Sequence, residues 1–369
     1  MGLVGLFQYL YRFIDSFLNH LLARCHLSAN GEYGWKSFDR KVNPKPEPTQ
    51  LVNFTQLTTL FLKTKTGKLM REQQPLTKKI KLLLLFNPVT EWIDTTHLMR
   101  LWIHNKSVRK GEEEGTRASH SQIRTFVDTY GIDMADFEPS DIEKYRTFED
   151  FFIRAHRPGS RPIDGPDDPS GAVVVADSRV VTYDSVAETK KLWIKGTDFT
   201  LTNLVMDTQL GEHFSDAAVA GFRLSPQDYH RYHSPVTGAI KAFRSIPGDY
   251  YQVDPIALQS GVNILTSNAR SYLVIETEQF GDVLFVAIGA TDVGTVRIHD
   301  KFQKPGTEIK KGDEIGYFQF GGSSIIVAFQ QGAIKFDQDL LDLSRQKIQV
   351  SVEVGTSLGR ANPMKKKLS

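Results

Sequence analysis

The chain has 369 residues, a length that suits one large domain or two. It is 40% hydrophobic and 24% charged, and it lacks the run of about eighteen uninterrupted apolar residues that would read as a membrane-spanning helix. The single cysteine, Cys25, excludes an internal disulfide framework and multi-cysteine metal sites, so the chemistry must come from His, Asp, Ser and the backbone. The net charge of +2 hides an asymmetry: residues 1–110 hold 17 Lys or Arg against 7 Asp or Glu, which leaves the remainder acidic.

Residues 1–125 read as a basic, amphipathic, membrane-associating region. Leu3, Leu6, Phe7, Leu10, Phe13, Ile14, Phe17, Leu18, Leu21 and Leu22 recur at three- and four-residue spacing, with Gln8, Arg12, Asp15, Ser16 and Asn19 opposite. The spacing predicts a helix over 3–22. Arg12 and Asp15 at mid-helix disfavour a buried span, so the helix is expected to lie in the headgroup region of an anionic surface. Packing of the same face on its own domain is the alternative. Leu6 stands where a myristoylation signal needs Ser or Thr, and the helix is poor in the Arg and Ser of a mitochondrial presequence. Residues 41–50 (KVNPKPEPTQ) and 105–122 read as linkers, and the patch from Ile80 to Trp102 between them reads as core or a second membrane contact.

From about Phe126 a compact domain, residues 126–369, begins with a helical stretch and with TFEDFFIRAHRPGSRPI at 147–163, whose Phe148, Phe151 and Phe152 form an aromatic face. After Ala172 follow the β-rich runs VVVADSRVVTY, AVAGFRL, SYLVIETEQF, DVLFVAIGAT, TVRIHDKF, EIGYFQF, SIIVAFQ and KIQVSVEV. Without intervening helices they predict a curled antiparallel sheet system, making the chain α+β: N-terminal helices, then a β-rich core. SPVTGAI at 234–240 and KPGTEIKKGDEIGYF at 304–318 look like the two halves of a lipoyl-like β-sandwich hairpin, though without the carrier lysine at its tip.

Three islands can carry chemistry. In Val175-Ala176-Asp177-Ser178-Arg179-Val180 an acid closes an apolar run; alone it reads as a turn aspartate. In Ser225-Pro226-Gln227-Asp228-Tyr229-His230-Arg231-Tyr232-His233-Ser234-Pro235 two histidines stand three apart, each able to move protons near neutral pH. Further ligands at diagnostic spacing are missing, so no metal is expected. In Gly321-Gly322-Ser323-Ser324 two glycines precede two hydroxyls, which alone reads as a tight turn. In a strained turn, however, Ser323 Oγ can attack the Gly322 carbonyl, converting amide to ester. Removal of the Ser323 α-proton then eliminates the ester, and the resulting dehydroalanine hydrolyses to a pyruvoyl group with loss of ammonia. Such a carbonyl is an electron sink of the kind pyridoxal phosphate supplies elsewhere.

The order ADSRV, LSPQDYHRYHSPVTG, VNILTSNARSYLVIETEQFGDVLFVAIGATDVGTV, KKGDEIGYFQFGGSSII resembles the phosphatidylserine decarboxylase family across roughly residues 126–355. That family cuts itself at Leu-Gly-Ser-Thr or a Gly-Gly-Ser-Ser variant, which implies a cut at Gly322–Ser323 into a large N-terminal and a small C-terminal subunit. The resemblance makes Ser323 the nucleophile and the precursor of the pyruvoyl cofactor, with neither pyridoxal phosphate nor metal. It makes His233 the base that activates Ser323, Asp177 the residue that orients His233, and His230 the candidate for the decarboxylation step. Ser178 replaces the Gly more often found after the acid.

The implied reaction is decarboxylation of phosphatidylserine to phosphatidylethanolamine. The implied partners are a membrane surface and the chain's own two subunits as a heterodimer, with further dimerisation expected from the family and no nucleic acid. Arg223, Arg231 and Lys241 are the candidate anchors for the headgroup phosphate. Localisation is expected at endomembranes in preference to the mitochondrial inner membrane. The alternative is a pyruvoyl-dependent decarboxylase of a free aromatic amino acid, which the amphipathic front end and Asp177 disfavour. A Ser-His-Asp hydrolase is a third class, but Gly321-Gly322-Ser323-Ser324-Ile325 is not a nucleophile elbow.

Overall fold

The computed structural model describes residues 61–63, 69–71, 111–192, 199–249, 251, 253, 263–290, 295–319 and 323–362. The helix expected over 3–22, the patch from Ile80 to Trp102 and the glycines of the 321–324 island lie outside these residues. Contacts divide the chain into two compact units, and every described residue belongs to the one formed by Leu60–Glu72 with Phe86–Ser369.

Eighteen strands are described. In chain order they are β1 (Phe61–Lys63), β2 (Leu69–Arg71), β3 (Phe137–Glu138), β4 (Ala155–His156), β5 (Gly171–Val173), β6 (Ser178–Tyr183), β7 (Ala218–Leu224), β8 (Arg231–His233) and β9 (Gly238–Ile246). They continue with β10 (Arg270–Thr277), β11 (Gly281–Ile288), β12 (Thr295–Ile298), β13 (Glu308–Ile309), β14 (Glu314–Gln319), β15 (Ser323–Phe329), β16 (Ile334–Phe336), β17 (Gln349–Val352) and β18 (Ser357–Ala361). The large sheet runs β13-β9-β10-β11-β15-β7-β6-β17-β1-β2, and β12-β14-β8 and β16-β18-β5 form two small sheets. Pairing is antiparallel apart from β1 with β17, in keeping with the α+β expectation.

The centre of the large sheet is covered on both faces, which explains its composition. Every residue of β6, β7 and β15 is buried, and β7 and β15 are accordingly largely apolar and do not alternate with polar residues, while β6 also buries Ser178, Arg179 and Thr182. Phe285 of β11, opposite Val327 of β15, meets the Tyr232 ring of β8 at 5.6 Å, so the β12-β14-β8 sheet packs on that face. A helix at Gln338–Arg345 abuts β6, where the Ser344 hydroxyl accepts a hydrogen bond from the Thr182 amide.

Two sequence expectations need correction. Helices do interrupt the strands: Val186–Leu192, Leu201–Val205 and Thr208–His213 separate β6 from β7. Their signals are caps, not long periodicity. Thr200 Oγ1 accepts from the Asn203 amide and Asp207 Oδ1 from the Leu210 amide, each at 3.0 Å, while Leu201, Leu204 and Val205 supply the buried side. The segment GAIKAFRSI is also a nine-residue strand, β9, whose Lys and Arg hid it because much of it faces solvent. Its first residues pair with β13, so 234–240 and 304–309 run side by side at the edge of the large sheet.

Candidate active site

Ser323 is the first residue of β15 and is completely buried. It lies opposite Leu224, the last residue of β7, and by strand alternation shares the face of Ile325 and Val327, the face that meets the small sheet. Ser324 lies opposite Arg223 on the other face. Neither serine hydroxyl has a hydrogen-bond partner among the described residues, an unusual state for a buried hydroxyl.

Topology brings the histidine island to this serine. β15 and β7 are neighbours in the large sheet, and β14 and β8, which connect to them in the chain, are neighbours in the small one. The connection 225–230 leads from the Leu224 end of β7, opposite Ser323, to β8 of the small sheet. The Phe318 amide donates to the His230 carbonyl at 2.9 Å, so His230 stands at the small-sheet end of this crossover. His233 lies three residues further along β8, about 10 Å more distant along the backbone.

The 225–230 connection is held rigidly. Asp228 accepts from the Ser225 amide at 2.6 Å and pairs with Arg179 of β6. Arg154, 2% exposed, donates to the carbonyls of Gln227 at 2.8 Å and Asp228 at 3.2 Å and lies over the Phe137 ring. Burial lowers the Arg154 guanidinium to about 10, against the pull of Tyr145 and Asp228, and burial raises Asp228 against the pull of Arg179. Arg154 follows the short helix Phe148–Phe152, capped by Thr147, whose aromatic face is buried as its sequence suggests. Phe152 stacks on the His230 ring at 3.8 Å, and His230 Nδ1 donates to the Asp228 carbonyl at 2.8 Å.

His233 is held differently. Its Nδ1 donates to the Gly312 carbonyl at 2.8 Å, in a turn that needs glycine at φ 87°, and its Nε2 accepts from the Tyr229 hydroxyl at 2.9 Å. Burial lowers the His233 pKa, outweighing the Gly312 carbonyl and Glu314.

Asp177 sits in the break between β5 and β6, close to β8 because the His233 amide donates to the Val175 carbonyl at 2.8 Å. Its carboxylate accepts from Arg161 at 2.9 Å, from His156 Nε2 at 3.2 Å and from the Val354 amide at 2.8 Å. Burial alone would raise Asp177, but His156 and Arg161 hold it down to about 2. Among the described residues no hydrogen bond joins Asp177 directly to His233; the His156 ring lies 4.0 Å from the Tyr229 ring, and Tyr229 reaches His233.

Sequence reasoning overlooked His156, Arg161 and Tyr229. All three lie within motifs singled out for other reasons, and the one usable signal was the density of charge in RAHRPGSR directly after an aromatic helix.

The phosphate candidates separate. Arg223 is buried beside Ser324 and donates to Gln349 at 2.9 Å; Arg231 forks onto Glu314 at 2.9 and 3.1 Å. Lys241 pairs with Asp282 at 2.8 Å on β9, three strands and several residues away from Ser323, which removes it from the site. Among the described residues no group of three or more His, Cys, Asp or Glu is placed to hold a metal ion, and no helix is long and apolar enough to cross a membrane.

A family model described as phosphatidylserine decarboxylase matches residues 148–360. A phosphatidylserine decarboxylase proenzyme of Fusobacterium nucleatum is 32% identical over 308 residues, covering 84% of this chain and 99% of that protein. Proenzymes 2 of Komagataella phaffii (35% over 297 residues) and of rice (40% over 259 residues) match 80% and 70% of this chain. The chain spans only 29% of the length of the Komagataella protein and 41% of the rice one. The chain belongs to the phosphatidylserine decarboxylase family.

Proposed function

We propose that this chain is a proenzyme that cuts itself between Gly322 and Ser323 and then decarboxylates phosphatidylserine to phosphatidylethanolamine. The observation that carries the reading is the buried hydroxyl of Ser323, without a hydrogen-bond partner among the described residues, at the β7 end of the connection that carries the histidines. Attack of this Oγ on the Gly322 carbonyl makes an ester with Ser323; loss of the Ser323 α-proton releases the Gly322 carboxylate, and water replaces nitrogen to leave a ketone and ammonia. His233, kept neutral by burial, is the proposed base for Ser323, with Asp177 acting on its position.

The pyruvoyl group so formed supplies an electron sink for the pair left behind when the substrate carboxylate departs as CO2. The site suits it: the position is dry, as decarboxylation favours. His230, its Nδ1 proton committed to the Asp228 carbonyl, is the proposed proton carrier through Nε2. Of the candidates for the headgroup phosphate, Arg231 on β8 stays next to the histidine island, whereas Arg223, across from Ser324, lies on the sheet face opposite Ser323.

The cut would leave residues 323–369 as the small subunit. It would still contribute β15, between β11 and β7, and β17, between β6 and β1, so the subunits would stay together as a heterodimer sharing one core. Residues 1–125 are proposed to dock the enzyme on a membrane, with endomembranes favoured over the mitochondrial inner membrane. The test is CO2 release from the full chain given either phosphatidylserine vesicles or free tryptophan. Release from the vesicles is expected; release from tryptophan alone would replace the lipid reading with the free amino acid one.

A further inference from the structure

An array of buried side chains starts at Asp177 and ends at His233. The Asp177 carboxylate accepts from His156 Nε2 at 3.2 Å, and these side chains are only 15% and 9% exposed. The His156 ring is sandwiched between Phe137, stacked at 4.8 Å with planes 14° apart, and Tyr229 at 4.0 Å. Tyr229, 3% exposed, donates its hydroxyl to His233 Nε2 at 2.9 Å, and the opposite nitrogen of His233 donates to the Gly312 carbonyl at 2.8 Å. A carbonyl can only accept, so the Gly312 bond fixes the proton of the neutral ring on Nδ1, and Nε2 must then be the acceptor for Tyr229.

We infer that His156 and Tyr229 are positioning residues of the self-cleavage site, transmitting the hold of Asp177 to His233 and fixing its tautomer, with Tyr229 holding the Nε2 lone pair until the Ser323 hydroxyl takes its place. The inference rests on the proposed role of His233 in cutting at Gly322–Ser323. Tyr229 is suited to the task because the crossover that carries it is itself pinned by Arg154 and Arg179, so its hydroxyl has a fixed place. His156 is suited because the edge strand β4 delivers it between an aromatic ring and a carboxylate already anchored by Arg161. The charged groups acting on His233 are Glu314 of the neighbouring β14, Asp177 and His156. Burial, the largest influence, disfavours a charged ring; Glu314 and Asp177 favour one, and Arg231, beside His233 on β8, neutralises Glu314.

The test uses full chains. In an uncut Ser323→Ala background, the His233 ring is titrated by NMR, its signal assigned by His233→Gln. Adding Tyr229→Phe removes a donor that stabilises the neutral ring, so the midpoint is expected to rise by about 0.5–1 pH unit. The acid limb of the self-cleavage rate in otherwise unmodified Tyr229→Phe should rise by a similar amount. His156→Leu is expected to slow cleavage by about tenfold or more, and His156→Gln, which restores a donor to Asp177, to recover part of that rate. An unmoved His233 midpoint in Tyr229→Phe, or parental cleavage by folded His156→Leu, overturns the inference; if His156→Leu does not fold, the Tyr229→Phe titration decides. An uncut parent chain would defeat the proposed function instead, while the titration would still report on the array.

Discussion

Two His–Asp pairs of almost equal length stand at different places in this molecule. His156 lies 3.2 Å from Asp177, and His213 lies 3.1 Å from Asp282. The His213 side chain is 41% exposed, and Lys241, 49% exposed, shares its acid; the His156 side chain is 9% exposed, and its acid also takes Arg161 and a backbone amide. Distance is therefore a poor guide to consequence. Water screens the His213 pair and competes for its hydrogen bonds, whereas the His156 pair is walled by aromatic rings and joined to further polar groups, so a change at one member must be felt by the others.

Four experiments press on this contrast, from the largest effect to the smallest. Ser323→Ala should abolish cleavage and decarboxylation altogether, since no ketone can form; two fragments on a denaturing gel would refute the assignment. Asp177→Asn leaves Arg161 and His156 facing a neutral amide, and urea unfolding at pH 7 should show a loss of about 3 kcal/mol. At the other pair the exposed member is the histidine, and His213→Gln should cost under about 1 kcal/mol by the same measurement. Equal losses would show that burial does not distinguish the pairs. Lys241→Met, at the exposed pair, should change CO2 release by less than about twofold, and a larger loss would return Lys241 to the site.

The acid dependence of stability sharpens the same contrast. Asp177 is lowered in the fold, so its contribution is complete above the unfolded value of about 3.9 and is lost as pH falls towards about 2. His233 is lowered too, so the unfolded chain binds a proton first and stability declines as pH drops below about 6.5. Melting temperature against pH should show both declines, and in Asp177→Asn the lower one should shrink.

Much of the core was readable because strands buried on both faces leave continuous apolar runs, as in AVAGFRL and SSIIVAF. β9 was not, because half-exposed strands carry Lys and Arg, and the helices between β6 and β7 are too short for a 3.6-residue period to show. The three chemical islands were visible as local motifs, but which strands neighbour one another, β7 with β15 and β8 with β14, is a property of topology that local spacing does not encode. His156 was hidden for the same reason. Nothing within RAHRPGSR says that its histidine meets an acid 21 residues later, because that meeting is made by the short β3–β4 pair and by Arg161.

The most direct test of self-cleavage is the intact mass of the purified full chain. Two fragments are predicted, one ending at Gly322 and one comprising residues 323–369, the latter with a blocked amino terminus and a mass lowered by the change of amine to ketone. A single unprocessed chain that still released CO2 from phosphatidylserine would contradict it.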